Sequence, residues 1–523
     1  MICYVTLTVH SESKKTKTII ELDEKERVGA DGLKSFRSQL QQYPERLISA
    51  LLGLERSCGR LYLTGGTVRD WLLGRPSADL DLVVESGAVA CCRLLLQTLG
   101  KGALVPLGER KDDAARVVWN GLTIDITGFR GGSQSIEDDL RLRDFTIDAM
   151  AVRLVDLVDN AADPTLIDPL GGRQDLERGV LQACGHAFTD DPLRMLRGYR
   201  LSAVLGFSVS ASTRTAMDAC GHLITDVAVE RISYELDLIM ESDQARAVIE
   251  AMAEAGLLWH IVPELQSGLK VEQPCFHHLD VFHHSLTALG CMEEILRQPE
   301  RFYPGWGPVF GAYAARKGMR KRLKWSALLH DLGKPDAMEV RPEGRITFYN
   351  HDRIGKDVFL RFAGRLKWSN EAKNIIGSLI ELHMHPFHLC NVRRHSPLSS
   401  RACLKIWKKA GPNLPGLFLL AMADSLACQG EKKPEGMEDE LAALYSELQK
   451  TIDRAIRPVF SGPKLLTGTD LIELFNLSPG PVFSTILTRL ELAMVEGRVH
   501  TRKEALDWVG QYLQNEEIRE ERP

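Results

Sequence analysis

The chain has 523 residues, 44% of them hydrophobic, and a formal net charge of −5 at pH 7. Because single hydrophobic cores stop growing at about 250–300 residues, this length predicts three or more domains. The negative charge argues against a nonspecific coat for nucleic acid. No apolar run approaches the roughly 20 residues of a membrane span, so we expect no membrane contact.

The first elements in chain order are weakly patterned. Residues 1–40 are interpreted as an N-terminal extension with one short strand and no assigned function, and their start lacks the features of a signal peptide. The 11 cysteines include no Cys-x-x-Cys pair. This usage predicts reduced thiols, no zinc ribbon and a cytoplasmic location.

The stretch GGTVRDWLLGRPSADLDLVV carries the most information. An apolar strand leads into the turn at Gly65 and Gly66, a short helix carries Arg69, and a second strand presents Asp79 and Asp81. Alternate strand residues point to one face, so these carboxylates converge. A lone Asp-x-Asp is usually a solvated strand end. Beside a glycine turn whose N–H groups can hold phosphate, the pair instead predicts Mg²⁺ and a triphosphate.

From this stretch onward the chain resembles the class II tRNA nucleotidyltransferase and bacterial poly(A) polymerase family. The resemblance continues through LTIDITGFR, DLRLRDFTIDAMAV, DPLGGRQDL, TDDPLRMLRGYRLS and AVERISYEL. It implies a catalytic role for Asp79, Asp81 and Asp125. It implies nucleotide binding by Gly65, Gly66, Arg69, Arg143, Asp144, Asp191, Arg194 and Arg197.

The chemistry of these residues agrees with nucleotidyl transfer. Two divalent ions on Asp79 and Asp81 would neutralise charge, while Asp125 helps to activate an RNA 3′-hydroxyl. The acids before Pro192 are interpreted as a helix cap with proline at the first helical position. Asp191 and Arg194 then lie three apart, which predicts one helix face. An acceptor beside a donor matches the amine and ring nitrogen of cytosine or adenine and opposes uracil and guanine. The alternative is a plain helical salt bridge.

A second set of candidate metal ligands lies in the middle of the chain, within apolar patterns that are typical of helices. It comprises His284, His330, Asp331, His351, His383 and Asp424. This order resembles the HD phosphohydrolase superfamily, an all-helical metal domain. Imidazole with carboxylate suits Mn²⁺, Fe²⁺, Ni²⁺, Co²⁺ or Zn²⁺, and bound water could attack a phosphoester. His277, His278 and His283 are alternatives to His284, whereas His385 and His388 are interpreted as bystanders.

The fold class predicted from these patterns is α+β. We expect a nucleotidyltransferase head at 41–184, a helical neck at 185–270, an HD domain at 271–430 and a C-terminal helical body at 431–515. A basic stretch could track an RNA backbone, or could be solvated helix faces. Its cations are Arg393, Arg394, Lys405, Lys408 and Lys409.

Two features depart from the family pattern. Asp148 stands where the family usually has asparagine, and its charge near a triphosphate is unfavourable unless a metal or arginine compensates. The link 130–137 is short and rich in glycine, as in enzymes that add only CC and in some split-function or poly(A)-adding members.

Three functions therefore compete. The first is template-independent addition of C and/or A, from CTP and ATP, to the 3′ end of tRNA. The second is poly(A) polymerase activity on general RNA, for which the same head chemistry serves. The third makes the HD domain the principal activity, a metal phosphohydrolase with the head as an RNA-binding module. The sequence does not indicate the oligomeric state.

Overall fold

The computed structural model describes residues 32–77, 79–107, 113–158, 164–273, 276–342 and 344–520. Its contacts divide the chain into two compact units, residues 1–227 and 228–523. The predicted α+β class is confirmed, since one unit contains a seven-stranded sheet and the other is predominantly helical. In the described ranges, no helix combines the length and apolar character that crossing a membrane requires.

The first unit is built on a mixed sheet. Its strands are β1 (Tyr62–Thr64), β2 (Asp79–Val84), β3 (Ala103–Pro106), β4 (Ala114–Trp119), β5 (Leu122–Gly128), β6 (Ala151–Arg153), β7 (Leu166–Ile167), β8 (Val180–Leu181) and β9 (Ser208–Val209). Seven of them follow the order β3-β4-β5-β2-β1-β6-β7. β2 and β5 run parallel with Asp81 opposite Asp125, so the register places two predicted catalytic carboxylates side by side.

Ten helices accompany these strands among the described residues of the first unit. They are α1 (Gly32–Leu40), α2 (Glu45–Cys58), α3 (Gly65–Leu72), α4 (Ala88–Leu99), α5 (Ile136–Arg141), α6 (Leu154–Val158), α7 (Gly172–Arg178), α8 (Ala187–Asp190), α9 (Leu193–Leu205) and α10 (Ala211–Cys220). The boundary between the units falls inside the predicted neck. Helix α9, at the beginning of that neck, packs within the first unit: a methyl group at Gly198 would meet Phe145 and Met217. The domain bounds stay predictions.

Two expectations about the beginning of the chain are wrong. The end of the predicted extension belongs to a core, because Phe36 and Leu40 are buried and the Phe36 ring lies edge-on to Trp71 at 5.4 Å. The expected strand falls outside the described residues.

The second expectation concerns the reduced thiols. Cys58 and Cys91 form a disulfide, with Cα atoms 6.2 Å apart. Helices α2 and α4 lie side by side, which brings together two thiols distant in sequence.

The second unit is a helical assembly with one small hairpin, β10 (Glu339–Val340) and β11 (Ile346–Thr347). Its helices begin with α11 (Val229–Glu241), α12 (Ala245–Glu254), α13 (Leu257–Ile261), α14 (Pro263–Gln266), α15 (Val281–Arg297), α16 (Pro299–Phe302), α17 (Gly307–Ala314), α18 (Met319–Leu329), α19 (Lys334–Ala337) and α20 (His351–Arg365). They continue with α21 (Asn370–Leu382), α22 (His385–Arg393), α23 (Ser400–Ala410), α24 (Leu414–Ala427), α25 (Met437–Thr451), α26 (Arg457–Ser461), α27 (Gly468–Phe475), α28 (Pro481–Val495) and α29 (Arg502–Glu520).

Helix α24 is the centre of this unit. Nearly all of its residues are buried, as expected for a helix that is hydrophobic all round. It packs against α15 and α18. These three helices carry or directly precede most of the predicted metal ligands, so the packing of the core positions the site. A separate apolar cluster holds α27, α28 and the start of α29.

In the second unit, a close backbone contact at Gly333 positions the chain beside the predicted metal ligands. A Cβ atom on Gly333 would lie 2.1 Å from the carbonyl oxygen of His351 and 2.4 Å from the amide nitrogen of Gly355. The chain after α18 can therefore contact the first turn of α20 only because this position has no side chain. This contact brings Asp331 next to His351.

We predict that Gly333→Ala lowers the free energy of unfolding by about 1–3 kcal/mol, the usual cost of overpacking. Gly364→Ala is the matched control, because its added methyl group meets nothing within 4 Å in the same region. The control should be neutral or stabilising by about 0.5–1 kcal/mol. Urea unfolding followed by helical circular dichroism measures both. Equal midpoints for the two variants would show that the contact is not tight.

Candidate functional site

The Gly65–Gly66 turn packs against the side chain of Asp81, one of the predicted catalytic carboxylates. Gly65 has φ +61°, a conformation that favours glycine. A Cβ atom there would be 3.1 Å from Oδ2 of Asp81 and 3.2 Å from Nη1 of Arg143. Burial raises the pKa of Asp81, and nearby Asp125 and Asp148 add to the rise while Arg143 opposes it. A cation bound at this point would favour the ionised carboxylate.

Asp125 is held by an arginine that our sequence analysis missed. Nε and Nη2 of Arg116 donate to Oδ1 and Oδ2 of Asp125 at 2.7 and 2.8 Å. Arg116 lies on β4 directly opposite Asp125 on β5. The Asn120–Gly121 turn, a strong hairpin signal in sequence, sets this register. Counting back from that turn would have found the pair.

Asp148 has the arginine partner that its charge requires. Nη1 of Arg69 donates to Oδ1 of Asp148 at 2.7 Å, and Nε of Arg69 donates to Asp70 at 2.8 Å. Burial raises the pKa of Asp148, whereas Arg69 opposes the rise. Burial would lower the pKa of Arg69, but Asp148 and Asp70 together raise it. The departure from the family residue is thus compensated, and Arg69 is already engaged by two carboxylates.

Other arginines form the opposite wall of the site. Asp139, fully buried, accepts from Nη1 of Arg130 at 3.0 Å and from Nη2 of Arg143 at 3.4 Å. Arg197 pairs with Asp144 at 3.0 Å. Burial raises the pKa of Asp144, but Arg197 and Arg194 reverse this and lower it. Each carboxylate therefore holds a guanidinium group in place.

The acidic face and the arginine wall enclose one cavity of about 420 Å³ within the first unit. It is lined by predicted residues from each motif, with Arg116, Arg130 and Arg200 in addition. The predicted members are Gly65, Gly66, Arg69, Asp79, Asp81, Asp125, Arg143, Asp144, Arg194 and Arg197. Negative and positive walls that face one space can hold a metal and a polyphosphate together.

Asp191 caps the following helix, as expected, but it lies just before α9 and not on a helix face with Arg194. Asp191 has extended backbone ahead of α9, and its Oδ1 accepts from the amide of Leu193 at 3.2 Å. Pro192 has no N–H, so the carboxylate caps the next amide instead. Arg194 lies on α9, where Nη2 donates to the carbonyl oxygen of Leu142 at 3.1 Å.

In the second unit, the structure brings all six predicted metal ligands into one buried cluster. Nε2 of His284 lies 3.1 Å from Oδ1 of Asp424, and Nε2 of His330 lies 3.1 Å from Oδ2 of Asp331. Nε2 of His351 and His383 are 3.1 Å apart. Asp331 belongs to two groups of possible ligands, one with His284 and His330 and the other with His351 and His383. Within each group, all ligand atoms lie within 4.8 Å of one another.

Three of these imidazoles are oriented in the same way. Nδ1 of His330, His351 and His383 each faces the backbone carbonyl oxygen three residues earlier, at 2.9, 2.8 and 2.7 Å. A nitrogen that faces a carbonyl oxygen carries the hydrogen, so the Nε2 lone pair points into the cluster. Hydrogen bonds of this kind orient metal-binding histidines.

The electrostatics of the cluster fit a divalent metal. Burial lowers the pKa values of His284 and His351, and burial with His351 lowers that of His383 to about 3. These imidazoles are thus neutral, as ligands must be. Oδ1 of Asp331 is buried with no hydrogen-bond partner among the described residues. Burial opposes protonation of His330, but Asp331 and Asp424 raise its pKa to about 10, so a bound divalent ion would replace that proton at Nε2.

Three further residues border the cluster. Nζ of Lys334 lies 2.6 Å from Oδ2 of Asp331 and 3.5 Å from Nε2 of His277. His277 was one of the open alternatives in the sequence. Cys428 groups with His277, His284 and Asp424. Its only sequence signal was the spacing of four from Asp424, which places both residues on one side of a helix end.

The basic stretch is largely neutralised by glutamates from other segments. Arg393 pairs with Glu447 at 2.7 Å, Arg394 pairs with Glu440 at 3.0 Å, and Lys408 pairs with Glu491. Lys409 contacts His385, and Lys405 is exposed. These contacts agree better with charged helix faces than with an RNA-binding track.

Four family models match successive parts of the chain. Family models match in the order poly A polymerase head domain (61–182), RNA and SrmB-binding site of polymerase A (206–269), HD domain (281–428) and tRNA nucleotidyltransferase domain 2 (447–509). The chain is 31% identical over 461 residues to the A-adding tRNA nucleotidyltransferase of Deinococcus radiodurans, covering 86% of this chain and 95% of that protein.

Further relatives and solved structures show the same likeness. The CC-adding tRNA nucleotidyltransferase of Geobacter sulfurreducens is 38% identical over 454 residues, covering 85% of this chain and 90% of its own. A multifunctional CCA protein of Hahella chejuensis is 32% identical over 408 residues, covering 74% and 87%. The apo form of a CCA-adding enzyme matches with a TM-score of 0.60 at 20% identity, covering 91% of this chain and 96% of that one. The chain belongs to the class II tRNA nucleotidyltransferase and poly(A) polymerase family, and it carries an HD domain.

The cluster in the second unit makes a prediction about metal content. His330→Ala should lower the divalent transition metal bound per chain, because it removes an oriented Nε2 ligand. His388→Ala is the control, since His388 is exposed on α22, outside the cluster. Mass spectrometry of metals in both purified variants checks this. Unchanged metal content in His330→Ala would contradict the assignment.

Proposed function

We propose that this chain adds C, A or both from CTP and ATP to the 3′ end of tRNA without a nucleic-acid template. The observation that carries the proposal is the cavity in which a glycine turn, carboxylates on two parallel strands and an arginine wall face one another. Relatives named for adding A, CC or CCA support it. A solved structure titled as a CCA-adding enzyme with tRNA_CCA supports the fold.

In this proposal the carboxylates and the arginines divide the work. Mg²⁺ held by Asp79 and Asp81 would stabilise the charge that develops on the transferred nucleotidyl group. Asp125 accepts the proton of the RNA 3′-hydroxyl or orients that hydroxyl. Arg143 and Arg197 are fixed by Asp139 and Asp144 and bind the triphosphate as planar forks. Because its neighbours already hold these groups, little reorganisation accompanies transfer.

Base selection is proposed to fall on the beginning of α9. The guanidinium of Arg194 is fixed by the carbonyl of Leu142 and donates its remaining hydrogens toward the ring acceptor of cytosine or adenine. Asp191, three residues earlier at the helix cap, accepts from the exocyclic amine. Uracil and guanine present the opposite pattern of donors and acceptors, so they would not form these hydrogen bonds.

We also propose a second activity, hydrolysis of phosphoesters at the HD cluster. It is supported by two ligand groups that share Asp331 and by imidazoles already oriented for metal. Mn²⁺, Fe²⁺, Co²⁺, Ni²⁺ or Zn²⁺ suits this donor set. The bound metal would lower the pKa of a water and so supply the nucleophile. Both activities belong in our proposal to a cytoplasmic protein.

The decisive test offers labelled CTP and ATP separately to the full chain, with tRNA transcripts that end before CC or after CC and with an unrelated RNA. Asp81→Ala should abolish incorporation, because a metal-holding carboxylate cannot be replaced. Asp138→Ala is the control, since Asp138 is exposed beside the cap of α5. Long ATP incorporation on the unrelated RNA would favour a poly(A) polymerase. No incorporation by the wild-type chain on any RNA would favour the HD domain as the principal activity.

Arg116 gives a second prediction in the head. Arg116→Ala should lower kcat roughly 10- to 100-fold with little change in the nucleotide KM, because Asp125 loses the fork that orients it. Arg116→Lys keeps the charge but not the bidentate geometry, so it should recover only part.

Arg153→Ala is the matched control for Arg116→Ala. Arg153 also lies on a strand and pairs with a glutamate, Glu55, at 2.9 Å, outside the residues that line the cavity. Steady-state kinetics of the three variants compare the effects. If Arg116→Ala raised only the nucleotide KM and left kcat unchanged, Arg116 would be a substrate-binding group and not a positioning residue.

A further inference from the structure

A threonine in the first turn of α3 holds the backbone of the Asp-x-Asp pair. Thr67 is buried, with 1% of its surface exposed. Its Oγ1 accepts from the amide of Asp81 at 2.8 Å and donates to the carbonyl oxygen of Asp79 at 3.1 Å. An amide only donates and a carbonyl only accepts, so the hydrogen of this hydroxyl points to Asp79. One side chain thus binds the backbone of both residues whose carboxylates would hold Mg²⁺.

These contacts lie where β2 extends beyond the end of β1. The antiparallel ladder between the two strands ends with Leu63 opposite Leu82. β1 stops one residue later, and the chain turns at Gly65 into α3. Buried backbone groups need hydrogen-bond partners. The hydroxyl of Thr67 therefore takes the place beside Asp81 that a longer β1 would have filled.

The opposite edge of β2 is held by the strand that carries the third carboxylate. β2 pairs in parallel with β5, which places Asp81 opposite Asp125. Asp81 is thus fixed between a strand on one side and the hydroxyl of Thr67 on the other. Thr67 is not among the described residues that line the cavity. Its effect on a bound nucleotide is therefore exerted through the residues that it holds.

We propose that Thr67 is a positioning residue for nucleotidyl transfer, because its hydroxyl fixes the end of β2 from which Asp79 and Asp81 reach the reacting groups. The inference rests on the proposed function of the head. A displacement of about 1 Å in a catalytic group can cost 100-fold in rate. The carbonyl of Asp79 keeps a second donor, Oγ of Ser77 at 2.6 Å. The main effect of losing the hydroxyl therefore falls on Asp81.

Three substitutions separate positioning from packing. Thr67→Ser keeps the hydroxyl and should keep kcat close to the wild-type value. Thr67→Val keeps the volume but not the hydroxyl, so it should lower kcat roughly 10- to 100-fold with little change in the nucleotide KM. Thr67→Ala leaves room for a water that can bridge the same two groups, so its kcat should lie between these. A residue that only fills space would give the reverse order, with Ala the most damaging.

A second measurement reports on the contact without turnover. Hydrogen–deuterium exchange of peptides that span β2, followed by mass spectrometry, should be faster in Thr67→Val than in the wild type. Thr213→Val is the matched control, because Thr213 is also buried in the first unit and its Oγ1 accepts from the amide of Ala183 at 2.8 Å. The control should change neither kcat nor exchange in β2. Thermal melting checks the fold, and Thr67→Cys, whose thiol is a poor acceptor, replaces Thr67→Val if that variant does not fold.

The possible failures are distinguishable. Wild-type kcat in Thr67→Val, or a change confined to the nucleotide KM, would overturn this inference alone. Unchanged exchange in β2 would overturn it as well. A wild-type chain that incorporates no nucleotide would overturn the proposed function of the head, and with it the role in catalysis that this inference gives to Thr67.

Discussion

The head depends on arginines that offset the negative charge of its buried carboxylates. Asp139, Asp144 and Asp148 are buried, and Asp81 is partly buried beside them. Burial raises the pKa values of Asp81 and Asp148 and acts in the same direction on Asp144. Arginines from other segments oppose this rise, as in the pairs Arg69–Asp148 and Arg197–Asp144, and at Asp144 they reverse it. The same guanidinium groups that stabilise the folded head are thereby fixed at the edge of the cavity where a triphosphate would bind.

Such pairing explains which parts of the head the sequence could predict. The glycine turn, the two strands and the Asp-x-Asp pair are local patterns, and the structure places them together. Arg116 escaped notice although its signal was present, because the register set by Asn120–Gly121 places it opposite Asp125. Phe36 also escaped, since the short helix α1 has only Phe36 and Leu40, four residues apart, as a sign of its buried side.

Partners that lie far away in the chain explain why the sequence could not decide between the two interpretations of the basic stretch. Arg393 and Arg394 form an apparent basic run, yet their glutamates are 54 and 46 residues away. No local pattern reports such pairing. The acids before Pro192 were a local signal for a helix cap, and the carboxylate of Asp191 accepts from the amide of Leu193 as a cap does. Its extended backbone keeps Asp191 outside the helix that carries Arg194.

Donor chemistry separates the two sites within one chain. The head offers carboxylate oxygens flanked by arginines, which suits a hard cation that keeps several of its waters, as Mg²⁺ does. The HD cluster offers imidazoles whose Nδ1 hydrogens are held by backbone carbonyls, and that set selects borderline ions. No imidazole is among the described residues that line the head cavity, so its donor set favours hard ions such as Mg²⁺ or Mn²⁺. Mg²⁺ gains little from the HD cluster, where nitrogen would replace most of its oxygen ligands. The two proposed activities therefore differ in the ions that their donor sets favour.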